Sequence, residues 1–269
     1  MATATHSHAG HSHADHSDGR KFSVRVLRQE SAYAGSHWET FELTHEEGMN
    51  ITTVLQRIAA DPVTTDHHHT TPPAYDSCCL EEVCGACTMV INGRVRQACS
   101  ALVDNLLADC PTQIELRPMT KYPVVRDLFV DRKRMFETLK KVRAWVPVDG
   151  YHDIGEGPRI SSKVQDAAYA ISRCMTCGCC TEACPQFNDH SAFIGPAAIA
   201  QAVLFNAHPT GSVEADERLA VLSGPGGVVD CGNSQNCVKV CPKEIPLTEA
   251  IAKAGRDTTL YKLRQWFGR

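Results

Sequence analysis

Eleven of the fourteen cysteines fall into three spaced groups, and thiolates in such runs bind iron–sulfur clusters or zinc. The first group has the plant-type [2Fe–2S] spacing, in which four and then two residues separate three cysteines and a fourth follows. Its predicted ligands are Cys79, Cys84, Cys87 and Cys99. Cys78 adjoins Cys79, and the four-residue spacing to Cys84 selects Cys79 rather than Cys78.

The second and third groups must be interpreted together. The second has the spacing of a bacterial two-cluster ferredoxin, Cys-x2-Cys-x2-Cys-x3-Cys-Pro, in which the last cysteine ligates the other cluster. This pattern predicts a [4Fe–4S] cluster on Cys174, Cys177, Cys180 and Cys241. The remaining site then receives only Cys184, Cys231 and Cys237.

The third group lacks one thiolate. Ser234 stands where the parallel run has Cys177, so we expect this site to hold [3Fe–4S]. A [4Fe–4S] cluster with Ser234 or water as its fourth ligand is the alternative. The three cysteines outside the scheme, Cys78, Cys110 and Cys179, are interpreted as free thiols.

The elements that position these groups predict an α+β protein of two domains. Residues 1–20, rich in His, Ser and Ala, are predicted to be a disordered tail. Alternating apolar residues from Phe22, a second run at 38–43 and a third at 114–116 predict strands. Asn50 or Thr52 can cap a helix that ends before Pro62, and Asn92-Gly93 predicts a hairpin after the first cysteines. Residues 21–122 are thus predicted to be the first domain.

The remainder, residues 123–269, is predicted to be an all-helical domain that carries the other two clusters. Apolar residues recur at helical spacing in six segments: 131–145, 161–173, 196–206, 214–222, 247–254 and 258–266. Six basic residues between Arg132 and Arg143 are interpreted as a solvated helix face.

Composition excludes several functions. The formal net charge is −4 with no long basic run, which argues against nucleic-acid binding. There is no run of 18 apolar residues and no secretory signal, so we expect a reducing compartment. Since no P-loop or G-x-G-x-x-G element is present, a flavin or nucleotide would have to bind another chain.

Three segments carry a resemblance to a known family: the run from Cys79 to Gly93, Phe193-Ile-Gly-Pro, and the run from Cys231 to Lys243. They resemble the iron–sulfur subunit of succinate dehydrogenase and fumarate reductase, and in particular the menaquinone-linked bacterial branch. The similarity extends from about Lys21 to Phe267. It implies a β-grasp [2Fe–2S] domain followed by a helical ferredoxin domain.

The resemblance also implies partners and an electron route. They are a flavoprotein subunit with FAD and the succinate site, and a membrane cytochrome b subunit with haem b. Electrons would pass from flavin through [2Fe–2S], [4Fe–4S] and [3Fe–4S] to menaquinone or another quinone. The chain would then be a peripheral protein on the cytoplasmic face of the bacterial inner membrane, with no catalytic residue of its own.

The sequence departs from the ubiquinone-linked branch near the third group. Asn188, Asp189 and Gly232 stand where that branch has a Trp pair and a His, so a quinone pocket built on those residues is not expected here. The alternative within the family is quinol:fumarate reductase, in which electrons pass through the same clusters in the opposite direction. Alternatives from other classes are an iron–sulfur hydratase and a zinc-structured interaction module.

Overall fold

The computed structural model describes residues 17–147 and 159–268, and the first half of this range is a mixed five-stranded sheet. Its strands are β1 (Ser17–Arg28), β2 (His37–Glu46), β3 (Thr88–Ile91), β4 (Arg94–Gln97) and β5 (Gln113–Arg117). They lie in the order β2-β1-β5-β3-β4. β1 is parallel to β5, and the other pairs are antiparallel. This arrangement agrees with the predicted β-grasp domain.

Two helices accompany the sheet. In α1 (Ile51–Ala60) the Asn50 side chain accepts from the Thr53 N–H, as the cap prediction expected, and Val54, Leu55 and Ile58 are buried. The second helix, α2 (Val103–Asp109), was not predicted, and its Leu106 and Leu107 are buried in the same core. Together they close one hydrophobic core beneath the strands.

A short hairpin follows the sheet, formed by β6 (Val124–Arg126) and β7 (Phe129–Val130). The prediction that residues 123–269 are all-helical is therefore wrong for residues 124–130. The reason is Asp127, a buried turn residue with a φ of 47°. Its carboxylate accepts from Arg28 Nε at 2.9 Å and from the Ala74 N–H at 2.9 Å, which ties the turn to the first domain.

Helices form the rest of the described chain. They are α3 (Lys133–Lys141), α4 (Ser162–Ser172), α5 (Cys179–Glu182), α6 (Pro196–Ala207), α7 (Ala215–Leu222), α8 (Asn236–Lys239) and α9 (Leu247–Trp266). α6 is buried along much of its length and packs against α4, α7 and α9. These contacts form a second hydrophobic core, whose members include Met119, Phe187, Ile199 and Ala254.

Several predicted bounds change. The helix expected over 131–145 is shorter, since Arg143 has a left-handed φ of 46° just after α3. The two helices expected over 247–254 and 258–266 are one continuous helix, α9. Its packing on α6 and α7 outweighs the roughly 1 kcal/mol that a glycine such as Gly255 costs inside a helix.

The ends of the chain bear on two other expectations. The predicted disordered tail lies outside the described residues up to residue 16, whereas residues 17–20 belong to β1. Over residues 17–147 and 159–268, none of the helices combines the length and the apolar character that crossing a bilayer requires.

Candidate iron–sulfur cluster sites

The first cysteine group lies on a curled loop between residue 78 and β3. Leu80, Glu82 and Gly85 have φ values of 61°, 58° and 70°. Left-handed residues placed among right-handed ones turn successive backbone N–H groups to one side, which forms an anion-binding nest. The N–H groups of Val83 and Cys84 donate to Cys79 Sγ at 3.2 and 3.3 Å, and that of Glu82 donates to Cys99 Sγ at 3.3 Å.

These hydrogen bonds distinguish Cys79 from its neighbour. Backbone N–H groups, that of Glu81 first, lower the pKa of Cys79 to about 7. The nearby Cys84 sulfur raises the pKa of Cys78, which is exposed. Cys79 is therefore the better thiolate donor, because a coordinating thiol must be deprotonated.

The other two predicted ligands of this group lie at the start and end of the β3–β4 hairpin. Cys87 precedes β3 and Cys99 follows β4, and both are buried. Burial is the main cause that raises the pKa of Cys87 to about 12; the backbone of Cys99 opposes this rise and the Cys99 side chain adds to it. The hairpin turn at Asn92 and Gly93, with φ values of 48° and 74°, returns the chain as predicted.

The second and third groups are built on two loops of the same shape. Two and four residues after Cys174, Thr176 and Gly178 have φ values of 54° and 90°. Two and four residues after Cys231, Asn233 and Gln235 have φ values of 50° and 59°. Each loop then enters a one-turn helix, α5 or α8, and ends in a Cys-Pro pair.

This correspondence places Ser234 at the same point of its loop as Cys177. Both are the third residue after the first cysteine, between the two left-handed residues. Ser234 is exposed and Cys177 is buried. The serine therefore occupies the loop position that corresponds to the predicted ligand Cys177, but it has no thiolate.

Electrostatic neighbours relate the cysteines of the second and third groups mainly within the two predicted sets, although Cys237 also acts on Cys180. Burial raises the pKa of Cys180 well above its usual range, and the charges that add to this effect are, in decreasing order, those of Cys177, Cys174, Cys241 and Cys237. The pKa of Cys237 is raised by burial and then by Cys184 and Cys231. The predicted [4Fe–4S] set and the predicted [3Fe–4S] set thus each lie together.

A cavity lies inside the first of these sets. Its lining includes Cys174, Cys177, Cys180 and Cys241. The Ile245 N–H donates to Cys241 Sγ at 3.5 Å on its wall. Thiols arranged around a cavity, with an N–H donor directed at one of them, are surroundings that suit a negatively charged iron–sulfur cluster. Across residues 17–147 and 159–268, no three His, Cys, Asp or Glu side chains are placed to hold one metal ion.

The first and second groups are in direct contact. A Cβ atom added to Gly85 would lie 2.6 Å from Cys177 Cα, so only glycine allows this approach. Nearby, the Gln97 amide at the end of β4 donates to Cys179 Sγ at 3.6 Å. The [2Fe–2S] loop and the [4Fe–4S] run therefore form one continuous structure.

Sequence reasoning missed two arginines that tie the start of α3 to other segments of the chain. Arg132 Nη1 donates to the Gly85 carbonyl at 2.8 Å, and its Nη2 donates to Asp76 at 3.1 Å. Arg134 donates to the carbonyls of Asn188 and Ser191. The interpretation of this basic run as a solvated face is thus wrong for these two arginines and for Arg143, which is half-buried and donates to Glu214 at 2.6 Å. Nothing in the spacing sets these three arginines apart from the three lysines.

The cysteines left outside the scheme differ in their surroundings. Cys78 and Cys110 are exposed, whereas Cys179 is buried between the two domains. The hydrogen bond with the Cys179 side chain is the main cause that lowers the pKa of Cys177 to about 7, and the same contact raises the pKa of Cys179.

Fold and sites together define a two-domain iron–sulfur protein. Residues 23–137 match the model of the 2Fe-2S iron-sulfur cluster binding domain, and residues 170–245 match that of the 4Fe-4S dicluster domain. The prediction of a [2Fe–2S] domain followed by a two-cluster domain is thereby confirmed. The fold resembles a chain of the Mycobacterium smegmatis Sdh1 complex in the apo form, with a TM-score of 0.76 and 22% identity, over 90% of this chain and 97% of that one.

Curated relatives identify the family. The succinate dehydrogenase iron–sulfur subunit of Bacillus subtilis is 52% identical over 252 residues, which are 94% of this chain and 98% of that protein. The fumarate reductase iron–sulfur subunit of Wolinella succinogenes is 29% identical over 87% of this chain and 95% of its own length. The chain belongs to the family of succinate dehydrogenase iron–sulfur subunits, as its motifs predicted.

The choice between Cys78 and Cys79 is open to a direct test. Because backbone N–H groups converge on Cys79 and not on Cys78, we expect Cys79→Ser to remove most of the [2Fe–2S] absorption and EPR signal. Cys78→Ser is the matched control and should retain that signal nearly in full. An essential Cys78 beside a dispensable Cys79 would contradict the spacing argument.

Proposed function

We propose that this chain is the electron-transfer subunit of a succinate:quinone oxidoreductase that uses menaquinone, and that it conducts single electrons from a flavin to the quinone. Three clusters supply the one-electron chemistry when they are bound. The proposed ligands are those named above: four cysteines for [2Fe–2S], four for [4Fe–4S] and three for [3Fe–4S]. The chain itself performs no substrate chemistry.

The observation that carries this proposal is the succession of contacts between the three sites. The loop of the first group touches the second group at Gly85 and Cys177. The proposed exchange of last cysteines between the second and third groups is supported by two electrostatic neighbours: Cys241 acts on Cys180, and Cys184 acts on Cys237. With this ligand set, the [4Fe–4S] site would be the middle one of the three clusters, with [2Fe–2S] at one end and [3Fe–4S] at the other.

The surfaces beside the first and last of the three cluster sites suggest the partners. The [2Fe–2S] loop exposes Leu80 and Val83 beside the cluster site, which suits docking of an FAD-bearing flavoprotein subunit. The opposite end, around Pro185, Ser234 and Pro242, would face a membrane-embedded cytochrome b subunit that carries haem b. Since this partner supplies the anchor, the chain would lie on the cytoplasmic face of the inner membrane.

Side chains at the [3Fe–4S] end bear on the quinone site. A Cβ atom at Gly232 would lie 2.6 Å from Gln186 Nε2, so Gln186 occupies the space that a larger residue would need. Asn188 donates to the Pro185 carbonyl at 3.0 Å, and Asp189 is largely exposed. None of the three positions supplies an aromatic wall or an imidazole, so we assign most quinone contacts to the membrane partner.

The test uses this chain and its flavoprotein without the membrane subunit. We expect the pair to remain in solution and to reduce artificial dyes with succinate. We expect no reduction of menaquinone analogues, because this chain lacks the quinone contacts. The complete complex is the positive control, and inhibitor-sensitive quinone reduction by the pair alone would overturn the assignment.

Quinol:fumarate reductase remains a second candidate, because relatives of both kinds match over most of the chain. Direction depends on the cluster potentials, which hydrogen bonds, charge and burial set. Comparing initial rates of succinate oxidation and fumarate reduction in the complete complex would decide between them.

Metal analysis separates the other classes. The three proposed clusters contain two, four and three irons, so we expect about nine irons and matching sulfide per chain. An iron–sulfur hydratase would contain one cluster with a vacant corner in a substrate pocket. A zinc-structured module would contain zinc without sulfide.

A further inference from the structure

A chain of hydrogen bonds crosses from the [2Fe–2S] domain to the second cysteine group. Gln97 ends β4, two residues before the predicted ligand Cys99, and its exposed fraction is 1%. Its Nε2 donates to Cys179 Sγ at 3.6 Å and to Thr88 Oγ1 at 3.3 Å. The Thr88 hydroxyl in turn donates to the Gly85 carbonyl at 2.8 Å, on the loop that touches Cys177.

The second step of this chain runs through Cys179. This thiol is no ligand in the proposed scheme, but it is buried, it accepts from Gln97, and it packs in one apolar cluster with the proposed ligand Cys177. Val95, Met175 and Val240 surround the pair with apolar side chains. Hydrogen bonds in such a low-dielectric setting are stronger than in water.

Packing alone does not explain a glutamine at this position. Gln97 Oε1 is buried and has no hydrogen-bond partner. A buried amide with one end unsatisfied is less stable than an apolar side chain of the same size. The Nε2 group of Gln97, which donates to the Cys179 thiol, is the part that a leucine would lack.

We propose that Gln97 is a positioning residue for the [4Fe–4S] site: through the Cys179 thiol it directs a hydrogen bond onto the Cys177 sulfur and raises the reduction potential of the cluster. The inference rests on the ligand set proposed above. A cluster that gains one electron becomes more negative, and donors directed at its thiolates stabilise that reduced form. Since Gln97 is two residues from Cys99, the same contact joins the two sites that exchange the electron.

The test is an EPR-monitored redox titration of the complete complex carrying Gln97→Leu. We expect the ratio of reduced to oxidised [4Fe–4S] at a fixed potential to fall about fivefold, which corresponds to a midpoint potential lower by about 40 mV. The [3Fe–4S] midpoint should not move. Gln113→Leu, an exposed glutamine at the start of β5, is the matched control and should leave both potentials unchanged.

A double-mutant cycle tests the route through the thiol. Cys179→Ala should lower the [4Fe–4S] potential by a similar amount, and Gln97→Leu added to it should have little further effect. If Gln97→Leu impairs folding, the Cys179→Ala titration still decides, because it removes the same hydrogen bond from Cys177. An unchanged [4Fe–4S] potential in either variant would overturn the proposal.

A failure of the ligand set itself would look different. If Cys177 is not a ligand, Cys177→Ser should leave the [4Fe–4S] signal intact. The hydrogen-bond relay from Gln97 through Cys179 to Cys177, in contrast, changes only the reduction potential of a cluster that is present. Retention of the full signal in Cys177→Ser would therefore refute the proposed ligands, and an unshifted midpoint in Gln97→Leu would refute the relay alone.

Discussion

Gly85→Ala should separate the first two cluster sites and destabilise the protein by about 2–5 kcal/mol. The new Cβ would lie 2.6 Å from both Cys177 Cα and Cys177 Cβ, and the φ of 70° is unfavourable for alanine. Backbone must move to relieve this overlap, because no flexible side-chain end stands in the way. We expect a lower melting temperature and a loss of acid-labile sulfide from the purified complex.

Gly93→Ala is the matched control for this change. Gly93 has a similar φ of 74°, but a Cβ there would meet no atom within 4 Å. Its substitution should cost only the backbone strain, roughly 1–2 kcal/mol, and all clusters should be retained. Equal losses in the two variants would show that conformational strain, and not the contact with Cys177, is what Gly85 relieves.

The parts of the fold that follow from local pattern were predictable. The Asn92-Gly93 hairpin, the Asn50 cap and the helices over 162–172 and 196–207 each depend on residues close in sequence. The cysteine spacings likewise predict the loops, because a thiolate run can wrap a cluster only at particular separations. The equivalence of Ser234 and Cys177 came from such spacing, and the matching left-handed residues of the two loops support it.

What could not be predicted depends on contacts between distant segments. Arg132 reaches the Gly85 carbonyl across 47 positions, and Asp127 binds Arg28 across 99. No spacing rule distinguishes Arg132 from Lys133, and the short β6–β7 hairpin exists because Asp127 is held by the first domain. The continuity of α9 through Gly255 is similarly a result of packing against α6 and α7.

Glu182 shows the same limit within the candidate sites. Its carboxylate accepts from the N–H groups of Thr120 and Lys121 at 3.0 and 3.1 Å, and from the Thr120 hydroxyl at 2.7 Å. This residue ends α5, between the proposed ligands Cys180 and Cys184, so it fixes the second group to the segment that leaves the first domain. Its sequence context indicates only an acidic residue in a cysteine run.

Ser234→Cys should convert the third cluster and slow quinone reduction at least about tenfold. The two loops have left-handed residues at the same two positions, so a thiolate at 234 would point as Cys177 does and complete a fourth corner. A [4Fe–4S] cluster in place of [3Fe–4S] should have a lower reduction potential. Each 59 mV of that decrease changes the equilibrium constant for transfer of one electron to the cluster by a factor of ten, so fewer electrons reach the quinone. The near-isotropic EPR signal of oxidised [3Fe–4S] should therefore disappear from the intact complex.

Ser234→Ala separates this prediction from the alternative in which the serine hydroxyl ligates a fourth iron. If the site holds [3Fe–4S] because it has only three cysteine ligands, Ser234→Ala should keep the [3Fe–4S] signal and most of the quinone reductase activity. A serine-ligated [4Fe–4S] cluster would instead show no such signal in the parent protein and would lose iron on this substitution. A Ser234→Cys complex that keeps the [3Fe–4S] signal and its full rate would show that position 234 does not face the cluster, and the missing-thiolate argument would then fail.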